Sequence, residues 1–357
     1  MRIGVLARRP LDWLAARLGY VPEPFLLTHP ALVQARALMT ACEIGLFDAL
    51  ADGLRTTDDL AADLAADLGT DAAATAALVD VLVAMRYLRR RPGAHDTVRL
   101  TRAARRWLTR NSPTPLVHSL AFRRDEWTWL AGLTDFVRSG QPLDFHATMS
   151  AAAWARYQAA MDDLGRLCLP ECWRGLRRYL PRPDGTPRHA LDLGGASGTY
   201  ATAFARARSD LRVTVADLPD AVALATVPDD LDGRLRFAAA DLRTADLAAL
   251  DPEVQRYDLV FVSQVLHHFD AEACCDLVAR TAAVLRPGGV LAVQDVLRTD
   301  RPDPLPALAQ LYFAFTSRSG AWTTDAVQGW QREAGLTPLR PIAYRTVPGV
   351  GLLAARR

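Results

Sequence analysis

In the second half of the chain, short apolar runs alternate with amphipathic stretches. HALDLGG, LRVTVADLP, RLRFAAADL, YDLVFVSQVL and GVLAVQDVL are five such runs, with helical patterns between several of them. Runs of this length, apolar on both faces, predict buried parallel strands, and the intervening 3.6-residue periodicity predicts helices covering the sheet. The last segment predicts an amphipathic helix, AVQGWQREAGL, stopped near Gly335. After it, PIAYRTVPGVGLLAARR predicts two strands about Pro348-Gly349, an antiparallel hairpin on the sheet edge.

The first half has a different rhythm. Leu11, Trp13, Leu14 and Leu18 lie at helical spacing ahead of the break YVPEP and predict a short lead helix that is too short to stand alone, so its Trp13 face is expected to dock on a neighbour or a partner chain. Leu32, Ala35, Leu38, Met39, Cys42 and Leu46 then form one apolar stripe. Thr56 caps the next helix and Thr70-Asp71 opens another. RRRPGAHDTVRLT predicts a β-ribbon turning at Pro92-Gly93. Helices followed by a ribbon outline a winged helix. Its presumed recognition segment, TDAAATAALVDVLVAM, has almost no basic or amide side chains for phosphates or base edges, so dimerisation or scaffolding is favoured over DNA binding.

Three segments follow: a winged-helix-like dimerisation domain over 1–110, a helical linker over 111–182 and a catalytic domain over 183–357, entered through the break PRPDGTPR. The linker is rich in large apolar side chains. Trp127, Met149, Trp154 and Met161 among them either wall an apolar ligand pocket between the domains or are ordinary packing.

Composition narrows the function. The 42 basic residues, all arginine, face 40 acidic ones, and a net charge of +2 gives no reason to expect a nucleic-acid backbone or an anionic membrane as partner. Five cysteines, Cys42, Cys168, Cys172, Cys274 and Cys275, show no zinc-type pairing, so no metal is expected and a reduced compartment is the simplest reading. There is no signal-peptide pattern and no apolar run of about 18 residues. A soluble cytoplasmic protein is expected.

The candidate chemistry centres on LDLGGASGTY, Leu191 to Tyr200, a strand, glycine turn and helix start. Gly194, Gly195 and Gly198 allow close backbone approach to a ligand, and the helix start offers unpaired N–H groups. The spacing differs from the G-x-G-x-x-G dinucleotide fingerprint, and a plain structural turn also fits it. Polar residues at the carboxyl ends of parallel strands decide the matter. Asp192 precedes the turn. Asp217 ends the second run, where an acid accepts ribose hydroxyls, and Asp241 ends the third, where one accepts an adenine amino group. Taken singly, each is equally a turn former or helix cap.

With VADLP, AADL, DLVFVSQVLHHFD and LRPGGVLAVQD following LDLGGASG, the chain resembles the class I S-adenosylmethionine-dependent methyltransferases. More narrowly, it resembles small-molecule O-methyltransferases of the plant caffeate and bacterial polyketide-tailoring type. The match is strong over about 190–297. The resemblance implies an α/β Rossmann-like domain holding S-adenosylmethionine and a winged-helix-like front domain that swaps helices in a homodimer. It places the cofactor on Asp192, Gly194, Gly195, Gly198, Asp217, Leu218, Asp241, Leu242 and Ser263. It also implies a general base at His267 supported by Asp295 at the end of the fifth strand. A neutral imidazole can take the proton of a phenol or enol of a small aromatic or polycyclic acceptor. His267 as a mere helix cap also remains open, with His268 as a structural or solvent-facing neighbour.

Three positions depart from that family. Ala196 replaces the middle glycine of the turn, which is tolerable at negative φ. Phe269 stands where tryptophan is usual, and Ala321 where plant members carry a glutamate that orients the base. Trp322 beside it either packs on substrate or belongs to the core. Rival readings are transfer to carbon or nitrogen, a non-methylating reaction that keeps the cofactor, and a ligand-sensing winged-helix regulator.

Overall fold

The computed structural model describes residues 10–91, 97–143, 145–299, 304–317 and 319–357, so the expected Pro92-Gly93 turn lies outside the described residues. The chain divides into two compact units, one ending at Thr128 and the other beginning at Trp129. The division falls inside the 111–182 segment.

In the first unit, capping residues set where helices begin. Thr56 Oγ1 accepts from Asp59 N at 3.0 Å to open Thr57–Leu68, and Asp71 Oδ1, rather than Thr70, accepts from Ala74 N at 2.8 Å to open Ala72–Ala84. A three-stranded antiparallel sheet completes the winged outline: β1 (Arg55–Thr56), β2 (Leu88–Arg91) and β3 (Thr97–Leu100), with β3 central. Leu46, Phe47, Leu60, Leu82 and Val98 are wholly buried between helices and sheet.

The apolar stripe of helix His29–Glu43 divides along its length. Ala41 and Cys42 are core, whereas Leu32 and Val33 are exposed. Gly45, at φ 67, ends the helix before Leu46, which starts a separate turn. The lead helix, Pro10–Arg17, buries no residue: Leu11 is 75% exposed and Trp13 55%.

The second unit is built on a mixed sheet of β4 (Arg188–Leu193), β5 (Leu211–Asp217), β6 (Leu235–Ala239), β7 (Tyr257–Ser263), β8 (Leu285–Arg298), β9 (Trp322–Thr323), β10 (Thr337–Pro338), β11 (Ile342–Ala343) and β12 (Val350–Arg356). Its path is β10-β12-β8-β7-β4-β5-β6, with β11 on β12 and β9 on β8. The five apolar runs become five parallel neighbours, and β12 joins antiparallel. The expected antiparallel hairpin forms from β11 and β12 at the sheet's edge, and β12 itself is paired on both sides. It lies between β8 and the short β10 and β11, which explains why six of its seven residues are buried.

Each sheet face carries its own core, one around Tyr257, Val260, Leu277 and Leu291, the other around Phe204, Phe261 and Leu352. The long helix Ala151–Leu176 belongs to this unit because Cys168, Cys172 and Leu176 are part of the second core. Gly165 lets the helix approach closely, since a Cβ there would stand 3.3 Å from Thr199 Cγ2. No helix among the described residues is long and apolar enough to cross a membrane, and none of their His, Cys, Asp and Glu side chains form a metal-binding group.

Candidate active site

The glycine turn joins β4 to helix Thr199–Ala207 at the carboxyl end of the parallel strands. Its glycines answer to the chain's own atoms. A Cβ on Gly194 would strike Val265 Cγ2 at 2.3 Å, and one on Gly195 would stand 2.7 Å from Asp192 Oδ2. Gly198, at φ 80, faces Phe237. Ala196 departs from the negative φ that would make it tolerable. It sits at φ 50, in the left-handed region that costs an L-residue about 1 kcal/mol or more. Asp217 holds it there, with Oδ2 accepting from Ala196 N at 2.7 Å while Oδ1 accepts from Leu218 N at 2.7 Å. From the other side Asp162, on helix Ala151–Leu176, accepts from the hydroxyls of Ser197 and Thr199, the latter at 2.8 Å.

Asp192 lies beneath this turn, buried, with neither carboxylate oxygen in a hydrogen bond of ordinary geometry. Burial and the nearby charge of Asp217 push its carboxyl up to about 7, against a small opposing pull from the Ala201 N–H. Burial likewise raises Asp217, offset in part by the N–H groups of Leu218 and Ala196. A buried acid short of donors calls for a cation or several hydroxyl donors. Such a site fits a group that carries both, as a cationic nucleoside derivative does.

Asp241 lies two residues past the end of β6, and its carboxylate is forked by Arg243, with Nε at 3.0 Å and Nη2 at 2.6 Å. This arginine holds the Asp241 carboxyl below its ordinary value. Leu242 is buried near Gly194, and half-buried Leu218 begins the turn after β5. Ser263, at the end of β7, receives Gln294 Nε2 at 2.9 Å. The same amide nitrogen reaches Tyr200 OH at 2.7 Å, and Tyr344 OH donates to Gln294 Oε1 at 2.7 Å. These bonds fix the floor of the cradle.

One residue beyond β7, Gln264 takes φ 58, and a tight turn, Leu266–His268, presents both histidines. Buried His267 places Nδ1 2.7 Å from Asp295 Oδ1, which also accepts from Val296 N at 2.8 Å. Asp295 is not at the end of the fifth strand as expected. β8 runs on to Arg298 because Asp295 lies opposite Gly351 of β12, and Leu297 and Arg298 pair with β9. Phe313, from helix Pro304–Ser317, stacks on the His267 ring with centroids 3.8 Å apart and planes 16° apart.

His268 is not solvent-facing. Its Nδ1 lies 2.8 Å from Ser317 Oγ, and burial together with the charges of His267 and His146 holds it well below the ordinary histidine range. His146 sits 5.0 Å from it, in a ring cluster with Phe145, Trp154 and Tyr157. Trp154 thus joins the His267 side of the unit, and Met161 on the same helix and Met149 just before it are half-buried. Trp322 has a core partner, packing edge-on to Trp330 at 5.0 Å while its Nε1 donates to Leu266 O at 2.9 Å. Trp127 belongs to the first unit, beneath Arg36. Asp162, Arg243, Gln294 and Phe313 were missed by the sequence reading. The first two had visible signals, an acid pair inside an apolar helix and a base two residues after Asp241.

A family model described as the O-methyltransferase domain matches residues 184–333, and one described as the O-methyltransferase dimerisation domain matches residues 30–110. The chain is 29% identical to the tetracenomycin polyketide synthesis 8-O-methyl transferase of Streptomyces glaucescens, covering 94% of this chain and 96% of that one. It is 30% identical to acetylserotonin O-methyltransferase of Gallus gallus over 78% of this chain and 80% of the relative. Among solved structures, human N-acetylserotonin methyltransferase in complex with SAM superposes with a TM-score of 0.78 at 21% identity, covering 99% of both chains.

Proposed function

This chain belongs to the S-adenosylmethionine-dependent O-methyltransferases, and from that premise we propose that it methylates a phenolic or enolic hydroxyl of a small aromatic or polycyclic metabolite of secondary metabolism, as a homodimer, with His267 as base. S-adenosylmethionine supplies an electrophilic methyl group. The chain's own residues bind, orient and deprotonate. Asp192 gives the cation a buried carboxylate, and Asp217 and Leu218 hold the ribose side. Gly194, Gly195 and Gly198 keep the turn low, while Asp241, Leu242 and Ser263 line the rest of the cradle.

The observation that carries the proposal is the buried His267–Asp295 pair. With Nδ1–H donated to Asp295 Oδ1, the imidazole presents Nε2 as a proton acceptor, and the carboxylate favours the imidazolium that forms when the acceptor hydroxyl gives up its proton. Holding the nucleophile in line removes much of the remaining barrier. The aromatic cluster around Trp154 supports a planar acceptor. The relatives named for a polyketide and for acetylserotonin support the same class.

Labelled S-adenosylmethionine offered with N-acetylserotonin, 3-hydroxy-1-naphthoate or 1-hydroxyanthraquinone tests this reading. The expected product carries the methyl on oxygen. His267→Ala should slow its formation by about 100-fold or more, with S-adenosylhomocysteine affinity unchanged by calorimetry. Methyl on carbon or nitrogen, or full activity in His267→Ala, would count against it.

A further inference from the structure

The base has one hydrogen-bonded carboxylate and one stacked aromatic ring, and the ring has no role so far. Among the described residues, the charged or titratable neighbours around His267 are Asp295 from β8, His268 from the same turn and, behind His268, His146. Helix Ala271–Val284 contributes Cys274, whose Sγ donates to Leu266 O at 3.3 Å. On the β9 side the chain presents buried Ala321 and the indole of Trp322, both uncharged, and helix Pro304–Ser317 brings Phe313. Asp295 engages the imidazole through Oδ1 only, and its buried Oδ2 has no hydrogen-bond partner.

A near-parallel stack at 3.8 Å does two things. It fixes the plane of the imidazole, which a single Nδ1 bond leaves free to swing about the hydrogen-bond axis. It also sets the negative face of an aromatic ring against a group that becomes cationic, which is a cation–π attraction strengthened by burial. The face is covered by Phe313 and the Nδ1 edge by Asp295, so both contacts leave the Nε2 edge for the acceptor.

We propose that Phe313 is a positioning residue for the base, holding the His267 ring in plane and stabilising its protonated form through the stack. The inference rests on His267 being the base. The proton would move from the acceptor oxygen to His267 Nε2 as the oxygen–methyl bond forms and the methyl–sulfur bond breaks, leaving S-adenosylhomocysteine as the neutral thioether, and would pass to solvent after product release.

The test reads the histidine directly and needs no acceptor. Ring-labelled histidine is followed by NMR across pH in wild type, Phe313→Leu and Phe313→Tyr, with the His267 signal assigned by its loss in His267→Gln. In Phe313→Leu the titration midpoint of His267 should fall by about half to one and a half pH units, and in Phe313→Tyr it should stay. With N-acetylserotonin as acceptor, or whichever of the three phenols is methylated, Phe313→Leu should lower kcat by about 3- to 30-fold and extend its acid limb to lower pH. KM for S-adenosylmethionine should hold, and Phe313→Tyr should restore kcat. An unmoved midpoint in a folded Phe313→Leu, or a kcat loss that Phe313→Tyr fails to restore, overturns the proposal with the base reading intact. Full activity in His267→Ala overturns both. Should Phe313→Leu not fold, Phe313→Met takes its place under the same criteria.

Discussion

Ala196 is a strained point of the glycine turn, an alanine at φ 50 with carboxylates on either side of it. Asp217 takes its N–H, and Asp162 takes the hydroxyls of Ser197 and Thr199 next to it. Ala196→Gly removes the Cβ penalty but loosens the unfolded chain, leaving a net stabilisation of about 0.5 to 1 kcal/mol. Thermal melting should show the rise, with S-adenosylhomocysteine affinity at least as tight as in wild type. Asp192 sets a pH dependence of opposite kind to that of a carboxylate held low by an arginine. Its folded-state value is raised to about 7 by burial, so the folded chain keeps a proton that the unfolded chain releases near pH 4. The sign follows: its contribution is fully present below about pH 4 and is lost as pH rises toward 7. Urea unfolding of the cofactor-free protein should show this decline, and Asp192→Asn should flatten it.

At the scale of elements, what was legible in the sequence was what depends on neighbours along the chain. The five parallel strands follow from apolar runs. The caps at Thr56 and Asp71 and the positions of Asp192 and Asp217 follow from local chemistry. What depends on distant pairing was not legible. Asp295 looks terminal until β9 and β12 extend β8 past it, and no spacing links Phe313 to His267, because it is the packing of helix Pro304–Ser317 that brings them face to face. Ala196 could be singled out by type, but its φ is set by Asp217 across the turn. Which of the two readings of His268 holds, structural or solvent-facing, was not legible because its surroundings come from Ser317 and His146, residues of other segments.

At the scale of the molecule, the first unit shows an apolar face left exposed among the described residues. Exposed Leu11, Trp13, Leu14 and Leu18 ride on a lead helix that buries nothing. His29–Glu43 presents Leu32 and Val33 to a cavity of about 630 Å³ lined also by Ala37, Leu78 and Trp127. Together with the match to a dimerisation domain, this supports association of two copies through that face. Light scattering should return twice 39.0 kDa, and Leu32→Glu with Val33→Glu should return the monomer mass while circular dichroism stays unchanged. A dimer that survives both charges would place the interface elsewhere.

The position of β12 has a further consequence for how the reaction centre comes into being. Gly351 is the partner of Asp295, so the strand bearing Asp295 is flanked on that side only by a segment made well after it. During synthesis from the amino end, β8 is an open edge until Val350–Arg356 has left the ribosome. Long-range pairing of this sort is slow and leaves the edge exposed in the meantime. The glycine turn can form with its own strands and helix, but the His267–Asp295 contact waits for β8 to be locked. A nascent chain halted before Val350 has its glycine turn and both histidines translated while the strand bearing Asp295 is still open to the wrong partner.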